Sequence, residues 1–382
     1  MKKLCVSLMA LVSLLCVSCS NDPEIPEKKD NGIDVTLSIT TNPLTKALDN
    51  SQVDASAPID VNKEFIVYFM DASGNTVTAY KLTDTQISAI QTSTVGAGVK
   101  FTNLDPSVVS VYVVANVPSG TLPATAPGTT LTDINGAIMN ISDQQANNAA
   151  SVVLANTGKT FKTGFTQGDD ASNGNKQFTV AVELTPIVSR IQIKKVSADA
   201  TITSFKLEGI YIDNFYPQMT IGGAFTSITI QHATDKATFD ATQVPYTTTN
   251  LYDEDKAAGL VQNPFGATTP QVYGYQIFPT TSTAHENVPY IILKISNIVT
   301  SSAATRNIIP TGTYYVAVKA YKDKTSSAPV TTFSAGNIYT VDDIVVSENN
   351  IVTDPTKGLI NVTVGVTVKQ WGSIDLNPDF GY

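Results

Sequence analysis

The chain has 382 residues, 42% of them hydrophobic and 15% charged, with 33 acidic against 24 basic side chains and a net charge of −9. That length and apolar content suit one large core or two ordinary ones, and exclude a disordered or fibrous chain. The acidic balance, without a Lys/Arg run, excludes nucleic acid as a partner, because neutralising phosphates needs clustered cations.

In chain order, Lys2 and Lys3 precede an apolar run from Leu4 to Val17, too short to span a bilayer but the right length for the core of a signal peptide. The run ends in Cys16-Val17-Ser18-Cys19-Ser20, which resembles the lipobox of bacterial lipoproteins, with Cys16 where leucine is usual. Cys19 is the expected lipidation site and the N-terminus of the exported form. Residues 20–33 are polar and carry two prolines, the composition of a flexible tether.

Beyond the tether, period-two alternation dominates and helical periodicity is scarce, so the body is expected to be all-β. Ile33, Val35, Leu37 and Ile39 alternate with Asp34, Thr36, Ser38 and Thr40, the pattern of a half-buried strand. Residues 63–70 form the next strand, and Asp71-Ala72-Ser73-Gly74-Asn75 is turn chemistry that returns the chain through residues 76–82 as a hairpin. Residues 108–117 are nearly continuously apolar, which predicts a strand covered on both faces. Residues 85–91 and 144–154 are expected as short helices. The polar stretch 167–175, rich in Gly, Asn and Asp, reads as an exposed connection and places a domain boundary there. After it, strands are expected over 178–184, 187–196, 204–212, 271–278, 290–295, 313–321 and 361–369, a spacing that fits a second antiparallel sandwich.

Little in the body carries catalytic chemistry. All three cysteines, Cys5, Cys16 and Cys19, precede residue 20, so the body has no disulfide, thiolate metal centre or cysteine nucleophile. The two histidines, His232 and His285, do not support a zinc site or a histidine relay. Asp169 to Gly174 has the oxygen ligands and turn glycine of a calcium loop, but its twelfth position is Val180 rather than glutamate. The acidic run Tyr252-Asp253-Glu254-Asp255-Lys256 reads as a solvated loop, and no G-x-S-x-G elbow or P-loop occurs. No catalytic residue, metal or cofactor is expected, and the protein is not read as an enzyme. Asn42-Pro43-Leu44-Thr45-Lys46-Ala47-Leu48-Asp49-Asn50 is a loop-like segment whose lysine a trypsin-like protease can reach.

The lipobox, the early alternating strand and the Lys46-Ala47 loop are accompanied by Val67-Tyr68-Phe69-Met70-Asp71-Ala72-Ser73-Gly74-Asn75 and Val111-Tyr112-Val113-Val114-Ala115-Asn116. Further along stand Leu184-Thr185-Pro186-Ile187-Val188-Ser189-Arg190-Ile191, Phe205 to Asn214, and the ending Val366-Thr367-Val368-Lys369-Gln370-Trp371. In this order the segments resemble the type V pilins, the major fimbrillins of anaerobic gut and oral bacteria of the Bacteroidales type. The resemblance implies two transthyretin-like antiparallel β-sandwiches in tandem. It divides the chain into a signal peptide (1–18), a tether with a removable first strand (19–46), an N-terminal sandwich (47–172) and a C-terminal sandwich with a donor tail (173–382). It also implies an outer-membrane lipoprotein precursor, cut between Lys46 and Ala47 by a trypsin-like surface protease and then joined head to tail with other copies, with tip and anchor pilins as further partners.

The physics suits that scheme. Burial of Ile33, Val35, Leu37 and Ile39 contributes about 6–12 kcal/mol gross, which rivals the net stability of a domain. Losing that strand leaves an apolar groove with unpaired backbone, a site for strand addition. Two C-terminal segments offer a replacement: Val364, Val366 and Val368 in one, and Ile374, Leu376 and Phe380 around Pro378 in the other. A strand passed from one copy to the next is a head-to-tail contact, which grows into filaments. The rival reading is a monomeric surface lipoprotein that binds a glycan or host protein.

Overall fold

The computed structural model describes residues 32–40, 64–92, 98–123, 125–145, 152–156, 159–160, 167–169, 174–225, 230–241, 244, 246–266, 273–280, 288–357 and 362–370. Cys19, Lys46, Ala47, His285, Ile374, Leu376 and Phe380 lie outside them.

The first eleven strands are β1 (Ile33–Thr40), β2 (Glu64–Met70), β3 (Thr76–Lys81), β4 (Val99–Leu104), β5 (Ser110–Val117), β6 (Ile138–Asn140), β7 (Leu154–Ala155), β8 (Lys159–Thr160), β9 (Gln167–Asp169), β10 (Lys176–Glu183) and β11 (Thr185–Pro186). One sheet runs β4-β1-β10-β9, and a second runs β11-β7-β5-β2-β3 with β8 also on β5. Phe101 of β4 meets Phe69 of β2 edge to face at 5.0 Å and Tyr80 of β3 at 5.0 Å, so these two sheets face each other across an aromatic contact.

Local sequence accounts for the β2–β3 hairpin. The Asp71 carboxylate accepts the Ser73 and Asn75 N–H groups at 2.8 and 2.9 Å, and Gly74 takes φ +78, which a side chain would resist. Every residue of β5 after Ser110 is buried, as its unbroken apolar run predicts. The expected helix near 85–91 is α1 (Asp84–Thr92). Thr83 and Gln86 close its N-terminus as a reciprocal capping box: Thr83 N–H donates to Gln86 Oε1 at 2.9 Å, and Gln86 N–H to Thr83 Oγ1 at 3.4 Å.

Of the second expected helix, over 144–154, residues 146–151 lie outside the described residues, and neither described end is α-helical. A short 3-10 turn ends at Gln144, whose side chain accepts the Val153 N–H at 2.9 Å, and Leu154 and Ala155 pair with Ala115 and Val114 of β5. An open ladder edge on β5 captures these residues, and tertiary pairing overrides a weak local helical preference.

The remaining strands are β12 (Ser189–Ile193), β13 (Val196–Ala198), β14 (Ile202–Asp213), β15 (Gln218–Thr220), β16 (Leu251–Glu254), β17 (Tyr273–Ile277), β18 (Tyr290–Thr300), β19 (Tyr314–Asp323), β20 (Asn337–Val341), β21 (Ile344–Val346), β22 (Ile351–Val352) and β23 (Val362–Gln370). Their main sheet runs β16-β14-β18-β19-β23-β20-β12-β17, with β22 also on β19. β23 is interior to it, parallel to β19 and antiparallel to β20.

The strand that follows the expected boundary at 172/173 does not join this sheet. β10 pairs backward with β1 over eight residues, from Ile33 opposite Lys176 to Thr40 opposite Glu183, and β11 pairs with β7. The main sheet begins after Pro186, at Ser189, while β15 still pairs back with β6, Gln218 opposite Asn140 and Thr220 opposite Ile138. The polar stretch 167–175 contains β9 and the buried Asn175, residues 170–173 lie outside the described residues, and the strands on either side of it share one sheet. Sheet membership depends on long-range pairing, which composition does not report.

Candidate functional site: the β1 groove

β1 is an interior strand. It runs antiparallel to β4 on one side and parallel to β10 on the other, so both of its backbone edges are hydrogen-bonded. Ile33, Val35 and Leu37 are 3%, 0% and 0% exposed. Val35 stands opposite Phe101 of β4 and Phe178 of β10, which puts this row on the face that meets the second sheet. Ile39 occupies the strand opposite Val182. At about 1.5–3 kcal/mol for each buried aliphatic side chain, the three described residues alone contribute several kcal/mol to holding β1 in place.

The opposite face departs from the half-buried pattern. Asp34 and Ser38 are each 1% exposed. The Asp34 carboxylate takes the Lys100 ammonium at 3.0 Å, the Asn103 N–H at 3.1 Å and the Asn175 side-chain amide at 2.8 Å. Asn175 also donates to the Asn103 side-chain carbonyl at 2.8 Å. Ser38 Oγ donates to the Val180 carbonyl at 3.4 Å. A charge buried this deeply is tolerated because its oxygens are satisfied. Alternation gives no hint of it, since an aspartate between aliphatic residues reads as solvent-facing; Lys100, Asn103 and Asn175 are far from it in sequence.

β1 also fits closely at its far end. A Cβ on Gly98, which leads into β4, would stand 1.7 Å from the Leu37 carbonyl oxygen, so only glycine permits the approach.

The other candidates fall elsewhere. Val364 and Val366 are buried in β23 within the nine-stranded sheet, and Val368 packs at the edge of the core. Asp253 and Glu254 of the acidic run sit in β16 and are engaged: Asp253 accepts the Tyr275 hydroxyl at 2.6 Å, and Glu254 accepts the Tyr211 hydroxyl at 2.6 Å and the Lys294 ammonium at 3.3 Å. His232 faces Asp213 at 2.8 Å, and burial raises the Asp213 pKa. Among the described residues no group of three or more His, Cys, Asp or Glu side chains is arranged to hold a metal ion. A cavity of about 420 Å³ opens beside Tyr112, Asn135, Asn156 and Phe225, and none of its lining residues is charged.

No protein-family model matches the sequence, and no curated protein is similar to it. Solved structures are. A fimbrilin from Porphyromonas gingivalis W83 matches 90% of this chain and 98% of its own with a TM-score of 0.52 at 13% identity. The fold is that of a fimbrilin. A candidate cell adhesion protein from Bacteroides eggerthii matches 89% of this chain and 96% of its own with a TM-score of 0.54 at 16% identity. Another, from Parabacteroides distasonis, covers 89% and 99% with a TM-score of 0.52 at 12% identity. None of the three is described as an enzyme. β1, the first of the described strands, is held in this fold by side-chain burial and by a backbone ladder on each edge.

Proposed function

We propose that the protein is a structural subunit of a cell-surface pilus, of the stalk class, exported as a lipoprotein on Cys19 and polymerised after a trypsin-like protease cuts between Lys46 and Ala47. The observation that carries this reading is the position of β1, an N-terminal strand that fills the interior of its sheet. Its departure would expose a groove with an apolar floor and two unpaired walls, which calls for a strand from another chain. The fimbrilin fold supports the same reading. The molecule is taken as two tandem sandwiches meeting near residues 187–188, and the donor as the C-terminal segment carrying Ile374, Leu376 and Phe380, because Val364 and Val366 already serve an interior strand. Contacts repeated head to tail give a filament on the cell surface that serves adhesion or biofilm formation, with tip and anchor pilins closing its ends.

The test is direct. Purified lipoprotein treated with trypsin should give a ladder of oligomers resistant to mild SDS, and Lys46→Ala should stay folded, uncut and monomeric. A cut protein that remains monomeric would overturn the proposal. The uncharged cavity beside Tyr112 and Phe225 favours a second reading, a monomeric lipoprotein that binds a neutral glycan, because its volume and its aromatic and amide lining suit a sugar. Retention on a glycan surface by the uncut Lys46→Ala protein would support that reading.

A further inference from the structure

β1 opens with Ile33-Asp34-Val35-Thr36, and residues 374–377 read Ile374-Asp375-Leu376-Asn377. In β1 this pattern does two jobs at once. Ile33 and Val35 enter the core between the two sheets, while Asp34, on the other face, satisfies Lys100, Asn103 and Asn175. An apolar strand placed in the groove would cover the core side but would not replace the carboxylate that the buried Asn175 amide shares with the exposed Lys100 ammonium and Asn103 N–H, which is unfavourable. The groove therefore selects for an acidic residue between two aliphatic ones, at one register.

We infer that residues 374–377 of one copy occupy the β1 position of the next, with Ile374 at the site of Ile33, Asp375 at that of Asp34, Leu376 at that of Val35 and Asn377 at that of Thr36. The inference rests on the strand-exchange reading above and specifies its register and chemical key. The incoming strand runs as β1 does, parallel to β10 and antiparallel to β4, and its carboxylate takes the Lys100 ammonium, the Asn103 N–H and the Asn175 amide. Pro378 then falls at the site of Leu37, the last residue that β1 pairs with β4, while the ladder to β10 continues through Thr40. On the β4 side a missing N–H there falls at the end of the ladder. β23 offers no such key, since Val362–Gln370 contains no acidic residue. The other place where Ile-Asp precedes an aliphatic residue is Ile59-Asp60-Val61, between the cut and β2, and it supplies the internal control.

Register is read by cross-linking. Thr179 of β10 stands opposite Thr36. After cleavage no native cysteine remains, because all three precede residue 20. The full chain carrying Thr179→Cys and Asn377→Cys, cut with trypsin and oxidised, should give a covalent ladder. Moving the first cysteine to Ala181 should reduce it about tenfold, because a partner two residues away is out of disulfide range. A stronger ladder from Ala181→Cys overturns the register.

The key is read by assembly rate. Asp375→Ala should slow or weaken assembly about tenfold to a hundredfold, the loss of a charge-assisted buried hydrogen-bond set. Asp60→Ala should match the wild type, and a melt of each uncut variant checks its fold. If wild type forms a ladder and Asp375→Ala assembles equally well, the register inference fails and strand exchange survives. If Asp60→Ala alone fails to assemble, residues 59–61 are the occupant and the inference is overturned. If wild type forms no ladder, the strand-exchange reading itself is lost and the register with it.

Discussion

Asp34 shows how one buried carboxylate ties three distant residues to a single strand. Lys100 and Asn103 come from β4, and Asn175 leads into β10, so the carboxylate joins both walls of the groove at one point. Asp34→Ala should lower the stability of the uncut protein by about 1–3 kcal/mol, because Asn103 and Asn175 lose their acceptor. Thermal melts check this, and the same substitution should leave an assembled filament unchanged, since there β1 has gone. Equal losses in both forms would contradict the replacement model. Gly98 probes the same strand from its other end. Gly98→Ala forces a methyl group against the Leu37 carbonyl and should destabilise the uncut protein by about 1–3 kcal/mol, read as a lower urea midpoint at unchanged slope.

At the scale of elements, the pair β2–β5 belongs to the sheet that faces the groove through the Phe69–Phe101 contact. Tyr68 and Tyr112 stand directly opposite each other in the register of these strands, and both rings are buried. Burial pushes the Tyr68 phenol up to about 12, with the nearby Glu64 carboxylate adding to it. Burial, and then Tyr68, push Tyr112 to about 12 as well. Folding thus favours the neutral phenols. Their contribution is complete below pH 10, where a solvated tyrosine is neutral too, and is lost as the pH rises from about 10 through about 12. Melting temperatures should therefore fall across that window. Phenolate absorbance from these two rings should develop well above that of exposed tyrosines; Tyr68→Phe and Tyr112→Phe should each flatten the alkaline decline.

Across the whole molecule, β23, the last described strand, ends at Gln370 inside the nine-stranded sheet, while the groove of β1 lies in a different sheet. Deleting residues 371–382 should thus leave the uncut protein melting nearly as the wild type does and abolish the SDS-resistant ladder after cleavage. A large drop in melting temperature would instead make that segment part of the subunit's own fold. Mass spectrometry of shed filaments should find Ala47 at the N-terminus. The sequence by itself determined the β class, the β2–β3 hairpin, the doubly covered β5, the α1 helix and the apolar row of Ile33, Val35 and Leu37. Each of these is written in a short window, through period-two alternation, turn residues or a capping box. It also carries the order of segments that resemble the fimbrillins. Only the tertiary structure decided that β10 belongs beside β1, that Leu154 and Ala155 join a ladder, and that Asp34 is buried. Those outcomes depend on pairings between residues about forty to more than one hundred and forty positions apart, and a strand's local pattern records which face is apolar without recording which neighbour will cover the other one.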